Sequence, residues 1–391
     1  MFFELLQVAL GNRERLSRVP TAEEWEEIYE ESGRQAVTGI LLSGIDRLPL
    51  EQRPPKAILL QWIGVGQMIE RRNQVMDIRC DDLLKMLKDQ GIKGSILKGQ
   101  GVALLYDKEL RHLRQSGDID VYVDCGQKKA LAFAKSTGQK DIEWDYKHLH
   151  LNLWDNIEVE MHYRGEVLLN LWKNWRLQRW FKEHEAQIFG HTGCTETTDI
   201  SCEHELPLIN HEFSINAFLN TNRTNGTNGI VTPTVEFNVF FILLHIYRHF
   251  LYEGVGMRQI VDYYFVLKAI SNADSTDKTD YAQEAVLKFG LEKFAKGLMW
   301  VMHEALGMPK EWMLWNPNQK EGEYILNQVM KGGNFGHYDA RLKHGGGKLG
   351  AVKAILTHNL HLLTHYPADT IWAPIWIVWH KMWKIKTRMT L

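Results

Sequence analysis

The chain has few cysteines and no large excess of either charge, and these two shortages exclude several classes of protein. Its four cysteines include no Cys-x2-Cys pair, so a disulfide framework is not expected and a reducing cytoplasm is the predicted location. A net charge of −2 provides no basic field, so long nucleic acid is not an expected partner. His191, Cys194, Cys202 and His204 form a loose cluster, but its spacing matches no standard zinc module.

Long apolar runs are missing as well. No run reaches the roughly 20 residues that a bilayer span needs. The segment Met1–Gln7 contains an early acid and no basic leader, so no signal peptide is expected. At 45% hydrophobic residues in 391, the chain still has enough apolar material for two or three packed units.

The most informative segment begins at Lys98-Gly99, which follows a short strand-like pair. An apolar, helix-like stretch comes next, and Gly117–Val123 then shows a strand pattern with two acids. Because strand residues alternate between faces, Asp118 and Asp120 should share one face, about 7 Å apart, while the apolar residues enter a core. Two such carboxylates repel each other unless a cation lies between them. Mg²⁺ is the expected ion because it prefers hard oxygen ligands.

A third metal ligand is expected on a later hairpin. His148–Leu153 and Ile157–His162 both alternate between apolar and polar residues, and a turn-forming Asp155-Asn156 pair separates them. Glu160 on the polar face is the predicted third ligand. His162 on the same face is either a ligand-side residue or a hydrogen-bonded structural histidine.

Phosphate groups also have candidate partners. Gly99 opens a predicted helix, and a helix N-terminus attracts phosphate through its free N–H groups. Lys98 and Arg114 would add positive charge. For Arg114 the alternative is an ion pair with a surface acid.

Together these residues resemble the polymerase-β-type nucleotidyltransferase superfamily, and more narrowly an uncharacterised bacterial nucleotidyltransferase family. The matching residues are Lys98-Gly99, Arg114, Gly117-Asp118-Ile119-Asp120 and Glu160-x-His162. The resemblance covers most of residues 1–270. One departure is Gly99-Gln100, where the superfamily usually has Gly-Ser or Gly-Gly, so Lys98 is expected to compensate in gripping phosphate.

The resemblance implies an α+β fold with a small mixed sheet flanked by helices. It also implies Mg²⁺ or Mn²⁺ as the cofactor and a nucleoside triphosphate as substrate. The predicted catalytic and metal-binding residues are Asp118, Asp120 and Glu160. The predicted nucleotide-binding residues are Lys98, Gly99, Arg114, Gly117 and Arg258.

The periodicity predicts three regions along the chain. Residues 1–90 are helical, residues 91–220 form the nucleotidyltransferase-like α/β domain, and residues 230–391 form a C-terminal helical domain. Thr21 is a predicted N-cap, and a long amphipathic helix is expected from about Lys56 to Gln90.

The helical half carries polar groups at helical spacing. His245 and His249 are four residues apart, as are Arg258 and Asp262, so each pair shares a helix face. These residues either contact the nucleotide or acceptor across a cleft or form a buried polar lock between helices. In both cases their face is predicted to meet the face of Asp118 and Asp120.

Two C-terminal features leave alternatives open. Trp372, Trp376, Trp379 and Trp383 repeat at helical spacing before a basic end, which favours a cap on the helical domain. An interfacial membrane helix or a partner-facing helix is the alternative. The glycine-rich segments 331–338 and 344–348 are either nucleotide or acceptor loops or ordinary loops.

The expected reaction is transfer of a nucleoside monophosphate group to an acceptor hydroxyl, on a small molecule or a protein side chain. Two other classes stay open: a non-catalytic nucleotide-binding scaffold of the same fold, and a Mg²⁺-dependent phosphotransferase.

Overall fold

A small sheet lies among many helices in the computed structural model, which describes residues 1–192, 229–272, 279–339 and 362–389. This confirms the expected α+β class. The helices are α1 (Phe2–Ala9), α2 (Ala22–Arg34), α3 (Thr38–Arg47), α4 (Lys56–Asp89), α5 (Gln100–Ala103), α6 (Lys108–Arg111), α7 (Gln127–Ser136), α8 (Leu171–Glu183), α9 (Glu185–Ile188), α10 (Val235–Tyr252), α11 (Met257–Ser271), α12 (Asp280–Phe289), α13 (Glu292–Leu306), α14 (Gln319–Gly332) and α15 (Pro367–Arg388). The strands are β1 (Gly94–Ile96), β2 (Ile119–Val123), β3 (His148–Trp154), β4 (Ile157–His162) and the short pair β5 (His191–Thr192) and β6 (Val231–Thr232).

The main sheet has the strand order β1-β2-β4-β3. Strand β2 pairs antiparallel with β1 and parallel with β4, and β3–β4 is the predicted hairpin. Its turn contains Asn156 at φ 60°, a conformation that asparagine tolerates better than most residues. The alternating apolar residues Val121, Val159 and Met161 are fully buried, in a core to which α4 and α7 contribute.

The N-terminal and C-terminal helices contribute to one second core. Leu5 of α1, Ile40 of α3, Trp62 of α4, Phe241 of α10 and Val261 of α11 all belong to it. The opposite, polar face of the sheet therefore faces a group of helices that come from both the N-terminal and the C-terminal parts of the chain. This arrangement creates a cleft between the sheet and the helices.

The helix expected after Gly99 is much shorter than its apolar sequence indicates. Helix α5 is a single turn, because the chain beyond it is held by distant residues. Tyr106 donates a hydrogen bond of 2.6 Å to Asp262 on α11, and Lys268 lies 2.8 Å from Asp107. These tertiary contacts override the local helical preference.

Helix α15 packs three of its four tryptophans against the α/β part. Asp369 near its start also accepts a hydrogen bond of 2.7 Å from Tyr247 on α10, so the helix contacts the helical domain, where a cap was predicted, as well. Trp376, Trp379 and Trp383 surround Tyr146 with ring centroids 5.1–5.6 Å away. These aromatic rings therefore pack together at the edge of the cleft, where Tyr146 and Trp376 line the cavity. Its outer face leaves a stripe of apolar side chains exposed, so a membrane- or partner-facing role remains a prediction. This stripe consists of Ile371, Ile375, Val378, Met382 and Ile385.

Within the described ranges, no helix combines the length and apolar character required to cross a membrane. Cys80 and Cys125 are free thiols. The remaining members of the loose Cys/His cluster, from Cys194 onward, lie outside the described residues, as does the second glycine-rich segment, 344–348.

Candidate active site

Parallel pairing of β2 with β4 brings two of the predicted carboxylates side by side. In this register Asp120 is the direct neighbour of Glu160, and Tyr122 is the neighbour of His162. Paired strands lie about 4.8 Å apart, so these side chains meet on the polar face of the sheet. The two acids are 40 residues apart in sequence, and the strand pairing makes them one site.

A histidine and a lysine hold this carboxylate pair in place. His162 Nε2 lies 2.9 Å from Asp120 Oδ1 and 3.2 Å from Glu160 Oε2. Lys98 Nζ lies 2.7 Å from the same Asp120 oxygen. Burial opposes the charge of Asp120, but Lys98 and the hydrogen bond from His162 hold its pKa below the usual value. His162 is therefore a hydrogen-bonded histidine between the two carboxylates, and a role beside a ligand remains a prediction.

Asp118 lies just before β2 and lines the same cavity. The charge of Asp120, followed by burial, raises the pKa of Asp118 to about 6. In the described part of the chain, ligand atoms of Asp120, Glu160 and His162 lie within 4.8 Å of one another, and Asp118 is outside that group. The three predicted carboxylates of Asp118, Asp120 and Glu160 therefore line one cavity, and Asp118 lies at the edge of this group.

The donor set of this wall fits a hard divalent cation. Three carboxylates face one cavity, and the positive charge of Lys98, which forms its ion pair with Asp120, acts on all three of them. Oxygen donors of this kind suit Mg²⁺ and Mn²⁺. Asp118, Asp120 and Glu160 are the residues that would hold such an ion.

The turn at Gly99 differs from a helix N-terminus that grips phosphate. Gly99 adopts φ 56° and ψ −110°, a conformation that favours glycine. The single turn of α5 that follows has too few aligned peptides for a strong dipole. Gln100 is buried and donates a hydrogen bond of 2.7 Å to Asp77, away from the cleft. The unusual residue at this position is thus explained by packing against α4.

Arg114 has its charge matched within the protein. Its Nε and Nη2 donate to the two oxygens of Asp262 at 2.6 and 2.7 Å, and both side chains are almost fully buried. Tyr106 donates to the same carboxylate. The alternative of an ion pair is therefore realised, with a buried acid and not a surface one. Arg114 still lines the cavity, and its role in binding nucleotide remains a prediction.

Arg258 presents the contrasting case. It is buried, and its Nη1 donates to the carbonyl of Gln115 at 2.9 Å. Among the described residues its Nε has no hydrogen-bond partner and no carboxylate forms an ion pair with it. A β-carbon at Gly117 would lie 3.8 Å from Arg258 Nη1, so the arginine is next to the glycine that precedes Asp118. This arginine can accept an anion without losing an internal ion pair.

These residues share a cavity of about 570 Å³. Its other wall contains His245, His249, Arg258 and Asp262, which confirms that the helical face meets the face of Asp118 and Asp120. His249 is 2.7 Å from Glu253, and burial lowers the pKa of both His245 and His249. Their carboxylate partners favour the polar lock over direct contact with substrate.

The centre of this lock is a glutamate that no sequence motif identifies. Glu166 is fully enclosed and meets three cationic or titratable side chains: Lys147 at 3.4 Å, Arg248 at 3.1 Å and His245 at 3.1 Å. Lys147 directly precedes strand β3, whereas His245 and Arg248 belong to α10, about 80 residues further along the chain. A lone glutamate in a loop carries no periodic signal that would identify such a position.

A protein-family model described as "Uncharacterised nucleotidyltransferase" matches residues 21–307. The chain belongs to this family. The match includes every predicted site residue of this nucleotidyltransferase-family member, from Lys98 to Arg258, and it ends before α14 and α15. Neither the curated proteins nor the solved structures gave a significant match.

Proposed function

We propose that the cleft transfers a nucleoside monophosphate group from a nucleoside triphosphate to an acceptor hydroxyl, with Mg²⁺ or Mn²⁺ as cofactor. The observation that supports this most directly is the pairing of Asp120 with Glu160 across parallel strands, beside Asp118 and Lys98 in one cavity. Membership of the nucleotidyltransferase family supports the same reaction class. The proposed acceptor is a small molecule or a protein side chain, and the proposed location is the cytoplasm.

In this reaction the acceptor oxygen forms a bond to the α-phosphorus, and pyrophosphate leaves. Bound Mg²⁺ would neutralise phosphate charge and lower the pKa of the attacking hydroxyl. Asp118, Asp120 and Glu160 would hold the ions. Because Glu160 already accepts a hydrogen bond from His162, the role of metal ligand suits Glu160 better than that of general base.

The three cationic side chains of the cleft have different proposed roles. Lys98 fixes Asp120 and so sets the position of one carboxylate. Arg258, which forms no ion pair within the described residues and whose Nε has no hydrogen-bond partner there, would bind phosphate oxygens of the nucleotide. Arg114 would act indirectly, by fixing Asp262 and with it the position of helix α11 in the wall of the cavity.

The test combines nucleotide binding with the fate of the phosphates. We expect the purified protein to bind a nucleoside triphosphate only with Mg²⁺ or Mn²⁺, and Asp118→Asn and Asp120→Asn to lose this binding while keeping the parent's circular dichroism. Asp155→Asn is the matched control, because this exposed carboxylate lies in the turn of the neighbouring β3–β4 hairpin and does not line the cavity. Calorimetry with each of the four triphosphates, with and without EDTA, measures both effects.

Label transfer then separates the reaction classes. Incubation with α-³²P- and γ-³²P-labelled triphosphate and a cell extract should transfer the α label to an acceptor, with the Asp120→Asn variant as background. Transfer of the γ label alone would show a phosphotransferase and refute the proposal. Binding without transfer of either label would favour the scaffold.

A further inference from the structure

A second group of metal-binding atoms lies next to the carboxylates, on the hairpin. His148 and His150 are two residues apart on β3, so they share a face, and His150 is the direct neighbour of Glu160 on β4. One donor atom from each of these three residues lies within 4.8 Å of the others. The group includes two imidazoles, which distinguishes it from the all-carboxylate set.

The separation of the two rings matches that of two ligands on one ion. His148 Nε2 and His150 Nε2 are 3.2 Å apart. Two nitrogens bound to Zn²⁺ at about 2.0–2.1 Å in a tetrahedral site are roughly 3.3–3.4 Å apart. Glu160 Oε2 lies 3.6 Å from the other nitrogen of the His148 ring, Nδ1, which is buried without a hydrogen-bond partner in the described structure.

A carboxylate outside the group orients one of the rings. Glu158 Oε1 lies 2.6 Å from His150 Nδ1, and the Glu158 side chain is 56% exposed. When Nδ1 donates its hydrogen to this carboxylate, Nε2 is left unprotonated and directed at His148. Metal-binding histidines in proteins usually show this arrangement, in which the second ring nitrogen donates to a carboxylate.

We propose that His148, His150 and Glu160 bind a divalent transition metal of the zinc type, at a site that shares Glu160 with the proposed magnesium site but adds two histidines of its own. Imidazole and carboxylate donors suit Zn²⁺, and such ions bind nitrogen more strongly than Mg²⁺ does. Three protein ligands leave a coordination position open, as in catalytic zinc sites. Glu160 belongs to both donor sets, so the two sites are coupled through one side chain.

Titration of the full-length, EDTA-treated protein with Zn²⁺ tests this inference without any nucleotide. We expect one equivalent to bind, and Co²⁺ to give the visible absorption of a histidine-bound ion. His150→Ala should abolish both signals, and Glu158→Gln should weaken Zn²⁺ binding by about 10- to 100-fold, the usual effect of losing an outer carboxylate. His337→Gln is the control, because it removes an exposed histidine elsewhere.

The inference and the proposed nucleotidyl transfer can fail separately. Asp118→Asn should lose Mg²⁺-dependent nucleotide binding and keep Zn²⁺ binding. Unchanged Zn²⁺ affinity in folded His150→Ala would overturn the transition-metal site, whatever the nucleotide assays show. Loss of Zn²⁺ binding in Asp118→Asn with retention in His150→Ala would also overturn it, since the ion would then occupy the carboxylate site.

Discussion

Replacing Asp262 by asparagine removes the only carboxylate that the described structure places against the Arg114 guanidinium. Both partners are buried, with 5% and 10% of their side-chain surfaces exposed, and the pair has two hydrogen bonds of 2.6 and 2.7 Å. Asparagine keeps the shape but leaves the arginine charge uncompensated. Removing one partner of such a buried pair costs about 3–5 kcal/mol, so we expect the free energy of unfolding to fall by this amount.

Urea unfolding followed by circular dichroism measures this loss. The double variant Arg114→Met/Asp262→Leu should recover part of it, because apolar residues of similar size often replace a buried ion pair without cost, although the Tyr106 hydroxyl loses its acceptor. Glu183→Ala is the control: its pair with Arg179 is exposed, and an exposed pair on one helix contributes only about 0.3–0.5 kcal/mol. A loss in Asp262→Asn no larger than in Glu183→Ala would refute the argument, as would a double variant less stable than Asp262→Asn alone.

Three further predictions follow from the geometry of the cleft. Arg258→Met should weaken binding of Mg²⁺–nucleotide by roughly 10- to 100-fold, since a hydrogen bond to a charged group contributes about 1.5–3 kcal/mol. Its stability in urea should stay near that of the parent. Equal binding of nucleotide by the variant and the parent in calorimetry would exclude a phosphate contact. In buffer with EDTA, Asp118 binds more protons in the folded than in the unfolded chain between its ordinary pKa and about 6, so the contribution of this carboxyl group to stability falls as pH rises through this window. Asp118→Asn should lack this loss, and parallel urea profiles for the two proteins would contradict it. Gly101→Ala should destabilise the chain strongly, because the new β-carbon would overlap the Ile96 carbonyl oxygen, whereas Gly64→Ala, which meets nothing, should be neutral or stabilising in the same unfolding assay.

The part of the site that follows from local patterns could be predicted from the sequence. Alternation in β2 and β4 places Asp120 and Glu160 on polar faces, and the hairpin turn limits how β3 and β4 can pair. The fold class follows from the same strands and from the long helical stretches around them. The parallel register itself depends on tertiary packing, which alternation does not specify.

The partners of the charged groups could not be predicted, because they come from distant segments. Asp262 is 148 residues from Arg114, and Glu166 is 79 residues from His245. No spacing rule links positions so far apart. The histidines of β3 were visible as part of a strand, but only the antiparallel register shows that His150 reaches Glu160.

The Arg114–Asp262 pair also limits how this fold can be divided. The guanidinium belongs to the segment that carries the strands with the predicted site carboxylates, and its counter-charge belongs to a helix in the other half of the chain. A fragment of residues 91–165 would contain the three carboxylates, yet it would have a bare buried cation and only one wall of the cleft. Transplanting the strands alone into another protein would therefore move the acids without the site.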